Sequence, residues 1–152
     1  MSLNQLQIGK VSVNCASLKI NDKIVESTLS QYTPEFLLPE GIVILEERPV
    51  KYIRRGNVID LYMDQFINLT NPTSNILGLE FTIPPGVDAN QVIVPSFAGY
   101  IASLGSGVNN AGSLYNVDHD ATYFNVNFSK NDGTPFVSGE ILLSLHLVFN
   151  IA

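Results

Sequence analysis

The chain has 152 residues, of which only 14% are charged, and a net charge of −6. That balance excludes broad electrostatic capture of nucleic acid or anionic lipid. Leu, Ile, Val and Phe make up 53 residues, enough to build one packed core and too many for a disordered chain. Ala, Glu, Lys and Arg total 22, against 46 for Asn, Ser, Gly and Thr. Helix formers are scarce and turn formers abundant, so the composition is all-β. Cys15 is the only cysteine, which leaves no intrachain disulfide and no cysteine-based zinc site; it reads as a small buried hydrophobe. No stretch approaches the roughly 18 apolar residues of a membrane span. The first thirty residues lack the basic-then-apolar order of a signal peptide. No nucleic-acid partner, membrane insertion or cofactor is expected.

In chain order, Leu6, Ile8, Val11 and Val13 are loosely echoed by Leu18, Ile20, Lys23 and Val25, with Asn21-Asp22 as a turn between short strands. Ser27 to Glu40 reads as irregular, held extended by Pro34 and Pro39. So apolar a segment cannot bury itself alone, and residues 1–46 read as a neck or shaft ending near Glu46-Glu47. From Val50 the period is two. Val50 to Arg54 and Val58 to Asp64 flank Arg55-Gly56-Asn57, a hairpin turn. The local basic cluster of Arg48, Lys51, Arg54 and Arg55 reads as decoration of that hairpin. Further strands follow at Ile76 to Ile83, Gln91 to Leu104 with a kink near Gly99, Ser113 to Val117, and Thr122 to Phe128. Turn signals at Asn71-Pro72, Pro84-Pro85-Gly86, Gly105-Ser106-Gly107 and Asn131-Asp132-Gly133 separate them. The last strand is the clearest, with Ile141, Leu143, Leu145, Leu147, Phe149 and Ile151 on one face and Leu142, Ser144, His146, Val148 and Asn150 on the other. The pattern predicts an antiparallel β-sandwich of jelly-roll type over residues 47–152.

The run Val50-Lys51-Tyr52-Ile53-Arg54-Arg55-Gly56-Asn57-Val58-Ile59-Asp60-Leu61 resembles the opening of head domains from viral and phage fibres. Leu77-Gly78-Leu79-Glu80-Phe81-Thr82-Ile83-Pro84-Pro85-Gly86 is similar to the apolar strand and Pro-rich turn that follow in such heads. Ser17-Leu18-Lys19-Ile20-Asn21-Asp22-Lys23-Ile24-Val25 resembles the short strands of fibre shafts. The resemblance implies a homotrimeric fibre or spike head with a jelly roll of the tumour-necrosis-factor type, as in giant viruses, virophages and tailed phages. It further implies a place on the virion surface, other virion proteins as partners of the N-terminal segment, and a host glycan or protein as receptor. In such folds the last strand lies near the threefold axis, so Leu143, Leu145, His146, Leu147 and Phe149 are the expected trimer interface. A capsid-associated or cement protein without a receptor is an alternative, as is a small β-sandwich hydrolase or lectin-like domain.

Among candidate chemistries, Asp118-His119-Asp120 is the one cluster suited to a site. Alternation puts Asp118 and Asp120 on one side, where two carboxylates suit a hard cation such as Ca²⁺; a solvated turn is the simpler reading. Acid–base catalysis needs a cleft and a nucleophile. No Gly-x-Ser-x-Gly, His-Glu-x-x-His or phosphate loop is present, so the chain is expected to be non-enzymatic. Asn109, Asn110, Tyr115, His119 and Tyr123, with Tyr100, are the candidate receptor-binding residues, since aromatic faces stack on sugars and amides bond hydroxyls. His146 would meet its own copies at a threefold axis, where protonation would loosen the assembly in mild acid.

Overall fold

The structure, a computed structural model, describes residues 17–20, 23–105 and 107–151. The first copy of the Leu6–Val13 echo, Cys15 and the Asn21-Asp22 turn lie outside the described residues. The rest is all-β. Eleven strands run β1 (Ser17–Ile20), β2 (Lys23–Tyr32), β3 (Phe36–Leu37), β4 (Ile42–Glu46), β5 (Val50–Arg55), β6 (Val58–Leu69), β7 (Ile76–Thr82), β8 (Val92–Ser103), β9 (Gly112–His119), β10 (Tyr123–Lys130) and β11 (Gly139–Ile151). A single 3₁₀ turn, Ala89–Gln91, precedes β8. Every pairing is antiparallel, in the order β1-β2-β5-β6-β11-β8-β9-β10-β7-β3, with β4 beside the far half of β6.

Alternation along the strands decides which face meets the core. In β6 and β11, paired from Leu69↔Gly139 to Val58↔Asn150, the inward rows are Ile59, Leu61, Met63, Ile67 and Leu69, then Ile141, Leu143, Leu145, Leu147 and Phe149. From across the core come Leu77, Leu79 and Phe81 of β7 and Phe124, Val126 and Phe128 of β10, all buried. Phe124 joins the two halves, its ring centroid 5.2 Å from Phe149 and 5.5 Å from Phe81. The sheet therefore curls until its halves face one another. The bend lies between β8 and β9, which share only Tyr100↔Ser113 and Ile101↔Gly112. Gly99 is needed there, because a Cβ would stand 2.8 Å from the Ser144 carbonyl oxygen and 3.0 Å from Leu114 Cβ. The β8–β11 register breaks opposite Ile93 to Ser96, the segment holding Pro95, which has no N–H for the ladder.

The segment from Ser27 to Glu40 departs most from its expected irregularity. Ser27 to Tyr32 pairs in register with Arg55 to Val50, extending β2 into the main sheet. The chain then crosses to the opposite half, where Phe36 and Leu37 pair with Phe81 and Glu80. The Tyr32 hydroxyl donates to the Thr82 carbonyl (2.6 Å), and the Glu35 N–H to Thr82 Oγ1 (3.0 Å). These bonds bring the two margins of the sheet together at a seam. Burial, with a smaller contribution from Tyr52, pushes the Tyr32 phenol well above its ordinary pKa. The expected boundary at Glu46-Glu47 thus falls inside one sheet, since β2, β3 and β4 all pair with strands of the head.

Candidate functional site

Strand direction gives the domain two ends. At one lie the β5–β6 turn, the β9–β10 turn and the β7–β8 connection. Gly56 takes the positive φ of +61° that this hairpin turn requires. Because β2 begins at Lys23 while its first residue partnered with β5 is Ser27, opposite Arg55, the β1–β2 hairpin runs past this same end.

At the opposite end, segments 70–75, 107–111 and 131–138 are bonded into one cap. Asn110 is the bolt. It is fully buried, its Nδ2 donating to the Val137 carbonyl and its Oδ1 accepting from the Val137 N–H, both at 2.8 Å. Its own N–H donates to Ser103 Oγ. The Asn71 N–H donates to Ser138 Oγ, the Asn131 N–H to the Ala111 carbonyl, and the Phe136 N–H to the Ser74 carbonyl. Lys130 is buried, its ammonium donating to Thr134 Oγ1 and the Pro135 carbonyl, each at 3.0 Å. Beside it the Thr134 hydroxyl and N–H hold the Asp132 carboxyl below the usual range.

The expected receptor-binding residues do not converge. Asn109 is exposed in the cap, bonding the Ala111 N–H. Asn110 is inaccessible and serves the fold, so its assignment to a receptor is corrected: a side chain with no exposed surface cannot reach a ligand. His119 and Tyr123 lie at the other end of the domain. Tyr115 is midway, at a bulge where Tyr115 and Asn116 together oppose Asn127, leaving both side chains exposed. Asp118 accepts the His119 N–H, and Asp120 Oδ1 accepts the N–H groups of Thr122 and Tyr123 (2.7 and 2.8 Å). Those two bonds hold the Asp120 carboxyl below its ordinary value. Asp118 and Asp120 each commit one oxygen to the turn, and among the described residues no three His, Cys, Asp or Glu side chains gather as a metal site.

The expected interface residues are also redistributed. Leu143, Leu145, Leu147 and Phe149 are buried within this chain's own core, because the apolar face of β11 meets β7 and β10 of the same chain. They have no surface to give a second copy. His146 lies on the other, outward face. Its ring stacks on Tyr62 at 4.3 Å and 6°, and its Nε2 donates to Asp60 Oδ1 (3.1 Å). Arg55 bonds the other Asp60 oxygen at 3.1 Å. Along this outer face, register aligns Leu29, Ile53, Asp60, Val148 and Ser96 in one row and Gln31, Lys51, Tyr62, His146 and Ala98 in the next. Leu29 is 71% exposed, Ile93 58% and Tyr62 45%. No described element covers them.

The outer face of β7, β10 and β9 has a different chemistry, which sequence reasoning missed. Glu80, Asn125 and Asp118 form one row, and Gly78, Asn127 and Asn116 the next. Asn127 Nδ2 donates to Asn125 Oδ1 (2.9 Å), and Asn125 Nδ2 to Glu80 Oε1 (3.2 Å). The alternation of Asn125 and Asn127 with Phe124, Val126 and Phe128 was the available signal.

No protein-family model and no curated protein matches the chain. Among solved structures it is similar to the C-terminal receptor-binding domain of the avian reovirus fibre protein sigmaC, at 12% identity over 98% of this chain and 99% of that one, with a TM-score of 0.41. A superposition of that depth transfers neither fold nor binding activity to this chain. Among the described residues no helix is long and apolar enough to cross a membrane.

Proposed function

We propose that this chain is a non-enzymatic attachment module: the head of a virion fibre or spike, a jelly-roll-like β-sandwich assembled as a homotrimer and presented to a host-surface receptor. The observation that carries the reading is polarity. The β1–β2 hairpin projects past one end of the sheet, while at the other end three connecting segments are bonded into a preorganised cap. A head on a stalk needs that arrangement, with attachment below and a fixed surface above. The uncovered outer face of β2, β5, β6, β11 and β8 is the surface that association with two further copies would bury, since exposed apolar side chains grouped on one sheet face mark interfaces. Three such heads act together through a high effective receptor concentration. The Asp118–Asp120 turn takes no catalytic part in this reading, its carboxylates being engaged with backbone N–H groups.

Light scattering coupled to size exclusion tests it. The expected mass is three times 16.6 kDa. Val148→Arg, on the outer face, should return a folded monomer. A wild-type monomer at all accessible concentrations overturns the reading.

A further inference from the structure

We propose that the outer face of β7 and β10 is a saccharide site, and that its ligand is a neutral sugar presented through a pair of adjacent hydroxyls. The proposal rests on the attachment reading and gives it a ligand class.

The site begins with a missing strand. β3 pairs with β7 only at Phe36↔Phe81 and Leu37↔Glu80, and Leu38 and Pro39 then leave the sheet. The next outward residue on β7 is Gly78, which fills none of the space released. The result is a depression of about 370 Å³ lined by Leu37, Leu38, Pro39, Gly78, Glu80, Asn125 and Asn127, with Leu79. A second hollow of about 130 Å³ adjoins it, sharing Glu80 and Asn125 and adding Asp118, His119, Asp120 and Tyr123.

One wall is apolar. Leu37 is half exposed, and with Leu38 and Pro39 it offers a surface for the C–H face of a pyranose ring. The opposing side is a one-way relay of hydrogen bonds, Asn127 to Asn125 to Glu80. The relay fixes all three head groups and leaves free capacity at each: Asn127 Oδ1, one N–H of each amide, and the second Glu80 oxygen. An acceptor and a donor set side by side match two neighbouring hydroxyls, each both donor and acceptor. Neither hollow is lined by Lys or Arg, and both carry Glu80. An anionic sugar would meet the Glu80 carboxylate with no Lys or Arg to offset it, and Asp118 and Asp120 outnumber His119 in the second hollow, so sialylated and sulphated glycans are disfavoured. Gly78 is specific to the arrangement, because a Cβ there would lie 2.7 Å from Asn127 Oδ1.

The test is binding of the full chain to arrayed oligosaccharides ending in neutral hexoses or N-acetylhexosamines, with sialylated and sulphated counterparts beside them. Neutral glycans should be bound, and Asn127→Ala and Gly78→Ala should each weaken binding about tenfold or more. Both variants should keep the wild-type circular dichroism spectrum, and Glu80→Gln, which keeps the shape, serves if either fails to fold. Retained affinity in correctly folded variants, binding of anionic glycans alone, or no glycan binding overturns the proposal. Cell binding separates the two readings. Attachment that survives periodate oxidation of surface sugars but not protease treatment overturns the saccharide site and leaves the attachment module standing on a protein receptor.

Discussion

Replacing Asn110 with Ala separates a residue that holds the cap from one that touches a receptor. The substitution removes the bond from Nδ2 to the Val137 carbonyl and the bond from the Val137 N–H to Oδ1, both 2.8 Å and both at a fully buried side chain. Each neutral bond contributes about 1 kcal/mol net, and leaving its partner unpaired in a poorly hydrated site adds to that. The expected loss is about 2–3 kcal/mol, or roughly 5–10 °C in Tm for a domain of this size. Urea denaturation of wild type and variant, with the midpoint compared at equal slope, measures it. Asn110→Asp keeps the acceptor but sets a carboxylate against the Val137 carbonyl, and should cost at least as much. A midpoint unchanged within error, accompanied by loss of ligand binding, would refute the bolt and restore Asn110 to the receptor surface.

Other consequences follow from single contacts. Tyr32 keeps its proton in the fold to higher pH than in the unfolded chain, so the stability it contributes is complete below about pH 10 and is lost as pH rises further. Tyr32→Phe should cost about 1 kcal/mol at neutral pH and flatten the alkaline limb of a Tm-against-pH curve; an alkaline limb identical to wild type speaks against the seam. Asp120 titrates below its ordinary value because Thr122 and Tyr123 N–H groups stabilise its charged form. Its contribution is present above about pH 4 and lost as pH falls through the lower folded value, and Asp120→Asn, whose amide oxygen still accepts, should flatten that acid limb. Gly99→Ala drives a Cβ against the Ser144 carbonyl oxygen and Leu114 and should destabilise by about 1–3 kcal/mol in thermal melts; a neutral result would show that the bend between β8 and β9 yields.

Strands that carry clean alternation are legible in the sequence itself. β11, the β5–β6 hairpin, β7 and β10 all fall where the period of two puts them, because each has one face in the core. Alternation says that a face is buried but not against what. The apolar row of β11 is equally suited to a threefold axis and to the chain's own β10, and Phe124 against Phe149 decides for the latter. The end of β2 was hidden for the opposite reason. Ser27, Thr28, Ser30 and Gln31 are polar, and the Ser27–Tyr32 stretch is placed by a ladder to β5 rather than by a hydrophobic face. Gln65 occupies an inward position of β6, bonds the Arg48 carbonyl through Nε2, and leaves Oε1 unpartnered, so a strict polar-out rule fails there. Asn110 deceived by type, since an asparagine between a glycine-rich run and a strand looks like solvent-facing turn chemistry. The amide row of Asn125 and Asn127 was visible as a pattern, but its groove depends on β3 stopping after Leu37, a backbone event with no local signature.

The ladder between β6 and β11 also bears on how the chain reaches its native state. Its twelve register pairs join strands separated along the chain by all of β7 to β10. While β11 is still being synthesised, β6 has β4 and β5 for neighbours, but its opposite edge waits unpaired. Contacts so remote in sequence form slowly, and the waiting strand is open to capture. An identical β11 from a neighbouring nascent chain offers the same register. Refolding at high chain concentration is therefore expected to yield more exchanged dimer than refolding at dilution.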